Sequence, residues 1–320
     1  MKNIIVLRGG PSSEHEVSLK TGKSVINQLQ HNYKITDIVI DHDGKWLLSG
    51  IAIDPNRAIR GIDCVFNAMH GEYGEDGTIQ KLLEQLQVPY TGSKVLGSAL
   101  AMNKVMAKKI YKDNGIKTPI HRVVYSKDEV DKTAIDLYKT FPMPAVLKPV
   151  SSGSSVGVSV ARDFQSLRDT LVSLFLQYDK VLVEEYIEGK EATVGILEEF
   201  RDKKLYALPS VEIREPNEKD FFDYDAKYSG ISQELCPGEF SPAEKQLMQE
   251  MAEKAHESLG LRHYSRTDFR VHPKRGIYAL ETNSLPGLTD QSLFPKSLES
   301  VGVTCKEVLD HIINLATKSK

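Results

Sequence analysis

Short apolar runs alternating with helical spacing organise the first hundred positions of the chain. Ile4–Leu7 is an apolar run ending in Gly9-Gly10, and it predicts a strand buried on both faces of a parallel sheet. Ser13-x-x-Glu16 has the form of a capping box, so a helix is expected from there to about Leu29. Lys34–Ile40 and Cys64–Met69 are further strands, and Ile79, Leu82, Leu83 and Leu86 share a helical face after the turn at Gly74–Gly77. Strands alternating with helices predict an open α/β sheet over residues 1–95.

The pattern changes after Ser93. Met102, Val105, Met106 and Ile110 predict one helix face, stopped by Asn114-Gly115 and Pro119. Pro144–Pro149, Val156–Val160, Val181–Glu185 and Glu191–Leu197 follow as strands with short turns between paired members, an α+β style of antiparallel hairpins. A helix over Pro242–Leu259 and strands at Thr267–Val271 and Ile277–Glu281 complete the pattern. The polar, tyrosine-rich stretch Glu215–Gly238 has no periodicity of its own, and long loops of that kind are often lids.

Composition narrows the function more by exclusion. The 320 residues are 40% hydrophobic and 27% charged with a net charge of −3, which suits a globular protein and supplies no concentrated basic field for nucleic acid. Cys64, Cys236 and Cys305 are far apart and form neither a CxxC pair nor a disulfide framework. No run of 18 apolar residues is long enough for a membrane span, so no membrane partner is expected and the cytosol is the expected compartment.

Several familiar motifs fail on one residue. Thr21-Gly22-Lys23-Ser24 resembles the end of a Walker A loop, but position 17 is Val17 rather than glycine. His15-Glu16 starts like HExxH, but position 19 is Leu19, and no GxGxxG follows the first strand.

Four other clusters carry chemistry. Lys148 opens a Gly/Ser turn, Ser151-Ser152-Gly153-Ser154-Ser155, whose backbone N–H groups and hydroxyls suit phosphate oxygens; a solvated surface hairpin is the alternative. The apolar strand Val181–Val183 runs into Glu184-Glu185, followed by Ile187 and Glu191. Such a strand can offer adenine a backbone donor and acceptor while a carboxylate takes ribose hydroxyls; acids facing water are the alternative. Asp268, Glu281 and Asn283 meet if the last two strands pair, and hard oxygen donors suit Mg²⁺, although Arg266 could simply neutralise Asp268. Lys227 and Tyr228, in Phe222–Tyr228, could close over a phosphate and exclude water. Glu14 and His70 lie where open α/β sheets bind ligands, beyond the carboxyl ends of strands, with Glu16 an alternative cap for the helix.

Taken in order, GGPSSEHEVSL (9–19), HGEYGEDGT (70–78), KPVSSGSSVG (148–157), FFDYDAKY (221–228), SRTDF (265–269) and ETNSLPGLTDQSL (281–293) resemble the D-alanine–D-alanine ligases of the ATP-grasp superfamily. The resemblance implies an α/β amino-terminal domain followed by a two-subdomain ATP-grasp fold, with subdomains over 96–184 and 185–320. It implies that Glu14 holds the first D-alanine's ammonium and that a Glu14–Ser154–Tyr228 network ties the site together. Lys104, Lys148 and Ser155 would meet the ATP phosphates, Lys227 the γ-phosphate, and Glu184, Glu185, Ile187 and Glu191 the adenosine. Asp268, Glu281 and Asn283 would ligate two Mg²⁺ ions (Mn²⁺ being an acceptable substitute), with Glu281 bridging them.

The same resemblance places Arg266 at the acyl centre, gives His70 and Gly287 a part in binding substrate, and puts Ser292 and Leu293 at the second D-alanine's carboxylate. It implies a homodimer that makes the dipeptide of peptidoglycan precursors. Tyrosine at Tyr228 goes with D-alanine as second substrate, which favours the dipeptide over the D-alanine–D-lactate depsipeptide; a D-alanine–D-lactate or D-alanine–D-serine ligase on the same fold is the alternative.

Overall fold

A computed structural model describes residues 1–151, 157–214 and 233–318. Strand β1 (Asn3–Gly9) runs through α1 (His15–Leu29) to β2 (Lys34–Ile40), and β1 pairs in parallel with β2 and with β5 (Cys64–Asn67). Ile4, Ile5, Val6 and Leu7 are fully buried, as a strand covered on both faces requires. The expected capping box does not form: Glu14 is the N-cap of α1 and no side chain caps it. Ser12 holds this turn instead, its hydroxyl accepting from Glu14 N (3.2 Å) and donating to His70 O (2.7 Å).

The sheet is extended beyond the expected strands by an antiparallel hairpin, β3 (Trp46–Leu48) and β4 (Ile51–Ala52), giving the order β4-β3-β2-β1-β5. The short α2 (Pro55–Ala58) follows, and α3 (Thr78–Gln85) buries Ile79 and Leu83 as its spacing predicts.

Two helices replace the single helix face expected after Ser93. Helix α4 (Val95–Met102) ends at Asn103, whose side chain caps α5 (Lys104–Asp113) by accepting from Met106 N. The break turns the predicted apolar face outward: Met106 is 42% exposed, while Lys104, Ala107, Lys108 and Tyr111 are buried. A lysine face can turn inward only where carboxylates meet it.

The middle of the chain supplies β6 (His121–Tyr125), α6 (Val130–Thr140), β7 (Ala145–Pro149), β8 (Ser159–Ala161), α7 (Phe164–Phe175) and β9 (Lys180–Glu185). These strands form an antiparallel sheet, β6-β9-β7-β8, covered by α6 and α7. The last part supplies β10 (Lys190–Phe200), β11 (Lys203–Ala207), β12 (Val211–Arg214), β13 (Gln233–Leu235), α8 (Pro242–Ser258), β14 (Tyr264–His272), β15 (Gly276–Asn283), α9 (Leu293–Glu299) and α10 (Cys305–Lys318). Its sheet runs β13-β12-β10-β14-β15, with β11 beside β10. Helix α8 starts with a Ser241–Glu244 capping box and Pro242 in its first turn.

The strands at 181–185 and 191–197, expected to pair as a hairpin, belong to different sheets. The chain crosses between them at Gly189, whose φ is +123° and where a Cβ would sit 2.1 Å from Val271 O, so the crossing requires glycine. Helices α4 and α5 pack with α8 on the last sheet. One face of the first sheet shares a core with α9, α10 and Tyr264, which joins the two ends of the chain. Among the described residues, no helix is long and apolar enough to cross a membrane.

Candidate active site

The β14–β15 hairpin sets the centre of the site. Its register places Asp268 opposite Glu281 and Arg266 opposite Asn283, with a bulge between Asp268 and Phe269. Bulges re-aim side chains beside functional sites. Both readings of this cluster are present together: Asn283 Nδ2 donates to Asp268 Oδ2 (3.0 Å), and Arg266 grips Asp268 bidentately at 2.8 and 2.9 Å. Thr193 from β10 adds a hydroxyl to Asp268 Oδ1 at 2.7 Å.

Among the described residues no group of three or more His, Cys, Asp or Glu side chains could hold a metal. The converging set is two carboxylates and a carboxamide, all partly buried hard oxygen donors, and that chemistry fits a magnesium ion.

Lys104, the first residue of α5, pairs with Glu281 at 3.2 Å. One turn further on lies Lys108, which sequence reasoning missed. Its Nζ is 2.6 Å from Glu184 Oε1, and Lys148 from the end of β7 approaches Glu184 Oε2 at 2.7 Å. The Lys104–Lys108 spacing of four was the signal that could have revealed it, since such residues share a helix face.

Burial works to raise the Glu184 pKa, but the two lysines outweigh it and hold the carboxyl below its ordinary value. Burial lowers Lys108 to about 8, with the Lys148 charge adding to the effect and Glu184 opposing it. For Lys148 burial also works downward, yet Glu184 and Glu281 leave it raised.

The remaining nucleotide candidates have partners or packing of their own. Glu185 accepts from Ile120 N (3.1 Å) and pairs with Arg275 (2.7 Å), Glu191 pairs with Arg270 (2.9 Å), and Ile187 is buried.

On the first sheet's side, Glu14 is buried at the N-terminus of α1, against Gly71. A Cβ on Gly71 would lie 2.8 Å from Glu14 Oε2, and its φ is +73°, so this approach depends on glycine. His70 is buried, with Nε2 on Thr21 Oγ1 at 2.8 Å; burial, then the Arg266 charge, lowers it to about 4, so the imidazole is neutral.

Glu75 is a second residue that sequence reasoning missed, although it lies inside a quoted motif. It accepts from Gly71 N (2.7 Å) and Leu285 N (3.2 Å), joining the 70–78 turn to the segment after β15. Burial, with the charge of Glu14 adding, raises its carboxyl to about 8. In that segment Gly287 packs on Ser292, whose hydroxyl bonds Thr289 Oγ1 (2.8 Å) at the start of α9, and Leu293 is the first residue of that helix.

The site is therefore a chain of mostly buried charged groups, from Glu14 and Glu75 through Arg266, Asp268 and Glu281 to Lys104, Lys148 and Glu184. It combines fixed cations for a polyanion, hard oxygens for a divalent metal and a carboxylate for an ammonium group. Ser154, Ser155, Lys227 and Tyr228 lie outside the described residues.

Comparison with known proteins accounts for nearly the whole chain. The family described as D-ala D-ala ligase C-terminus matches residues 110–314, and D-ala D-ala ligase N-terminus matches residues 3–57 and 49–93. A D-alanine–D-alanine ligase from Syntrophobacter fumaroxidans is 40% identical over 98% of this chain and 97% of its own length. One from Aquifex aeolicus is 38% identical over 97% and 99%. Among solved structures, the D-alanine–D-alanine ligase from Bacillus anthracis complexed with ATP has a TM-score of 0.81 at 30% identity, covering 100% of this chain and 98% of its own. VanG D-Ala:D-Ser ligase from Enterococcus faecalis has a TM-score of 0.85 at 28% identity, covering 98% and 99%.

Proposed function

The chain belongs to the D-alanine–D-alanine ligase family, and from that premise we propose that it joins two D-alanine molecules through a D-alanyl phosphate, with ATP converted to ADP and phosphate. The observation that carries this reading is the continuity of the site: Lys104 pairs with Glu281, Glu281 stands opposite Asp268, Asp268 holds Arg266, and Lys148 lies within the field of the Glu281 charge.

A carboxylate resists an amine because its own charge repels the nucleophile. Transfer of the γ-phosphoryl group onto the first D-alanine's carboxylate creates a leaving group. The second D-alanine's amine then attacks the carbonyl carbon, and phosphate departs with the bond to that carbon broken.

In this assignment Lys104 and Lys148 hold the ATP phosphates, and Glu184, Glu185, Ile187 and Glu191 form the adenosine pocket. Glu14 takes the first D-alanine's ammonium, with His70 beside it as a neutral hydrogen-bonding wall. Arg266 faces the oxygen that gains charge at the acyl centre. Gly287, Ser292 and Leu293 receive the second carboxylate. Ser154, Ser155, Lys227 and Tyr228 take their roles from the sequence alone. Asp268, Glu281 and Asn283 would hold Mg²⁺, as two ions, or Mn²⁺ in its place, and the metal would neutralise charge on the phosphoryl oxygens. The protein's part is mainly positioning and charge neutralisation.

We assign residues 1–95 to the substrate domain and 96–184 and 185–320 to the two subdomains that grip ATP. The product would supply peptidoglycan precursors in the cytoplasm, and the family resemblance suggests a homodimer.

The test is to incubate the enzyme with Mg-ATP and D-alanine and to measure phosphate and dipeptide together, with L-alanine, D-lactate and D-serine as alternative acceptors. Equal phosphate and D-alanyl-D-alanine, with little product from the others, supports the assignment. Phosphate appearing with a D-lactate or D-serine product in preference would replace it by the corresponding ligase.

A further inference from the structure

Lys108 has no part in the reaction as assigned above, yet it is the most deeply buried cation of the site. Two ammonium groups, Lys108 and Lys148, share the single carboxylate of Glu184, and none of the three side chains is more than 8% exposed. Lys108 is fixed from two further directions, donating to Thr118 Oγ1 (2.8 Å) and to Leu280 O on β15 (3.3 Å). Its side chain is wholly buried, whereas that of Lys148 retains 8% exposure and stands at the end of β7.

We propose that Lys108 is a positioning residue, a resident counter-ion that keeps Glu184 paired when Lys148 turns to the phosphates of ATP. This rests on the assignment of Lys148 to those phosphates. A buried carboxylate that loses its partner is strongly destabilising. With one lysine, ATP and Glu184 would compete for the same ammonium group. With two, the transfer of Lys148 leaves a one-to-one ion pair in the interior. It also removes the repulsion between the two lysines, which works with burial to hold Lys108 down to about 8. Nucleotide binding therefore strengthens the Lys108–Glu184 pair as it takes Lys148 away.

The test is a double-substitution cycle read as separate KM values. Lys108→Met should raise KM for ATP by about tenfold or more, since Glu184 then retains Lys148. KM for D-alanine should stay within about twofold. In a Glu184→Gln background the same substitution should change KM for ATP by less than about threefold, because no charge is left to hold Lys148. Equal losses in both backgrounds, or an unchanged KM for ATP in Lys108→Met, would overturn the proposal.

Lys148→Met tests the premise. If KM for ATP is unmoved there, the phosphate assignment falls and the proposal with it; if it rises there but not in Lys108→Met, only the proposal falls. The unaltered enzyme gives a reading independent of whether Lys108→Met folds. With ¹⁵N-labelled lysine side chains, MgADP should shift the Lys148 Nζ resonance while Lys108 Nζ keeps its ion-paired signal. Loss of the Lys108 signal on nucleotide binding would refute a resident counter-ion.

Discussion

Lys104 Nζ lies 3.2 Å from Glu281 Oε2, so a cation assigned to the ATP phosphates and a carboxylate assigned to the metal neutralise each other. Each is held where its ligand will arrive, and Mg-ATP would exchange one ion pair for two. Glu281→Gln removes the charge but keeps the shape. Turnover should fall by about a hundredfold, with half-maximal activity moving to higher Mg²⁺. A magnesium titration of initial rates checks this, and an unchanged Mg²⁺ dependence would remove Glu281 from the metal site.

Arg266 is held bidentately by Asp268, which orients its guanidinium before substrate arrives. Replacing it with methionine should lower kcat by about 10²–10³ and leave KM for ATP within about threefold. If KM for ATP carried the loss instead, Arg266 would be acting through Asp268 and the metal, not at the acyl centre.

Gly71 leaves no room for a side chain against Glu14, and its φ of +73° already favours glycine. Gly71→Ala should cost about 1–2 kcal/mol of stability. By displacing the Glu14 carboxylate it should also raise KM for D-alanine by about tenfold, with KM for ATP unmoved. Denaturant unfolding and separate saturation curves for the two substrates measure both effects.

His70 stays neutral in the folded protein down to about pH 4, while in the unfolded chain it takes up a proton near its ordinary 6.5. Between those values the unfolded state binds more protons, so stability is present above pH 6.5 and is lost as pH falls towards 4. The expected loss is roughly 3 kcal/mol across that window. His263, lowered to about 3 by burial and by Arg262, slopes the same way, so the useful quantity is a difference. His70→Asn should lose less stability between pH 7 and pH 5 than the parent does in urea unfolding; identical slopes would contradict the buried, neutral histidine.

Elements whose pattern carries its own reason were legible in the sequence. The apolar run of β1 marks a buried strand and Lys34–Ile40 a second one, and the hairpin that brings Asp268, Glu281 and Asn283 together follows from two strands separated by a short turn. What escaped depended on partners distant in sequence. The inward face of α5 is set by Glu184 and Glu281, so its lysines look like an exposed face until those carboxylates are placed. Strands β9 and β10 look like a hairpin because nothing local records that Gly189 passes against Val271 on another strand. The capping box at Ser13 lost to Ser12, which is tied to His70 across the crevice. Glu75 is hidden for the same reason: apart from Gly71, what meets it, the charge of Glu14 and the backbone N–H of Leu285, is close to it only in the fold.

The most direct test of the proposed chemistry follows the carboxylate oxygen. With D-alanine labelled by ¹⁸O in both carboxyl positions and unlabelled ATP, the acyl-phosphate route transfers one labelled oxygen to each inorganic phosphate. Mass spectrometry of phosphate formed together with dipeptide should show that single ¹⁸O and none in the nucleotide. Unlabelled phosphate beside newly formed dipeptide, or label in the nucleotide product, would contradict a D-alanyl phosphate and with it the roles assigned to Lys104, Lys148 and Arg266.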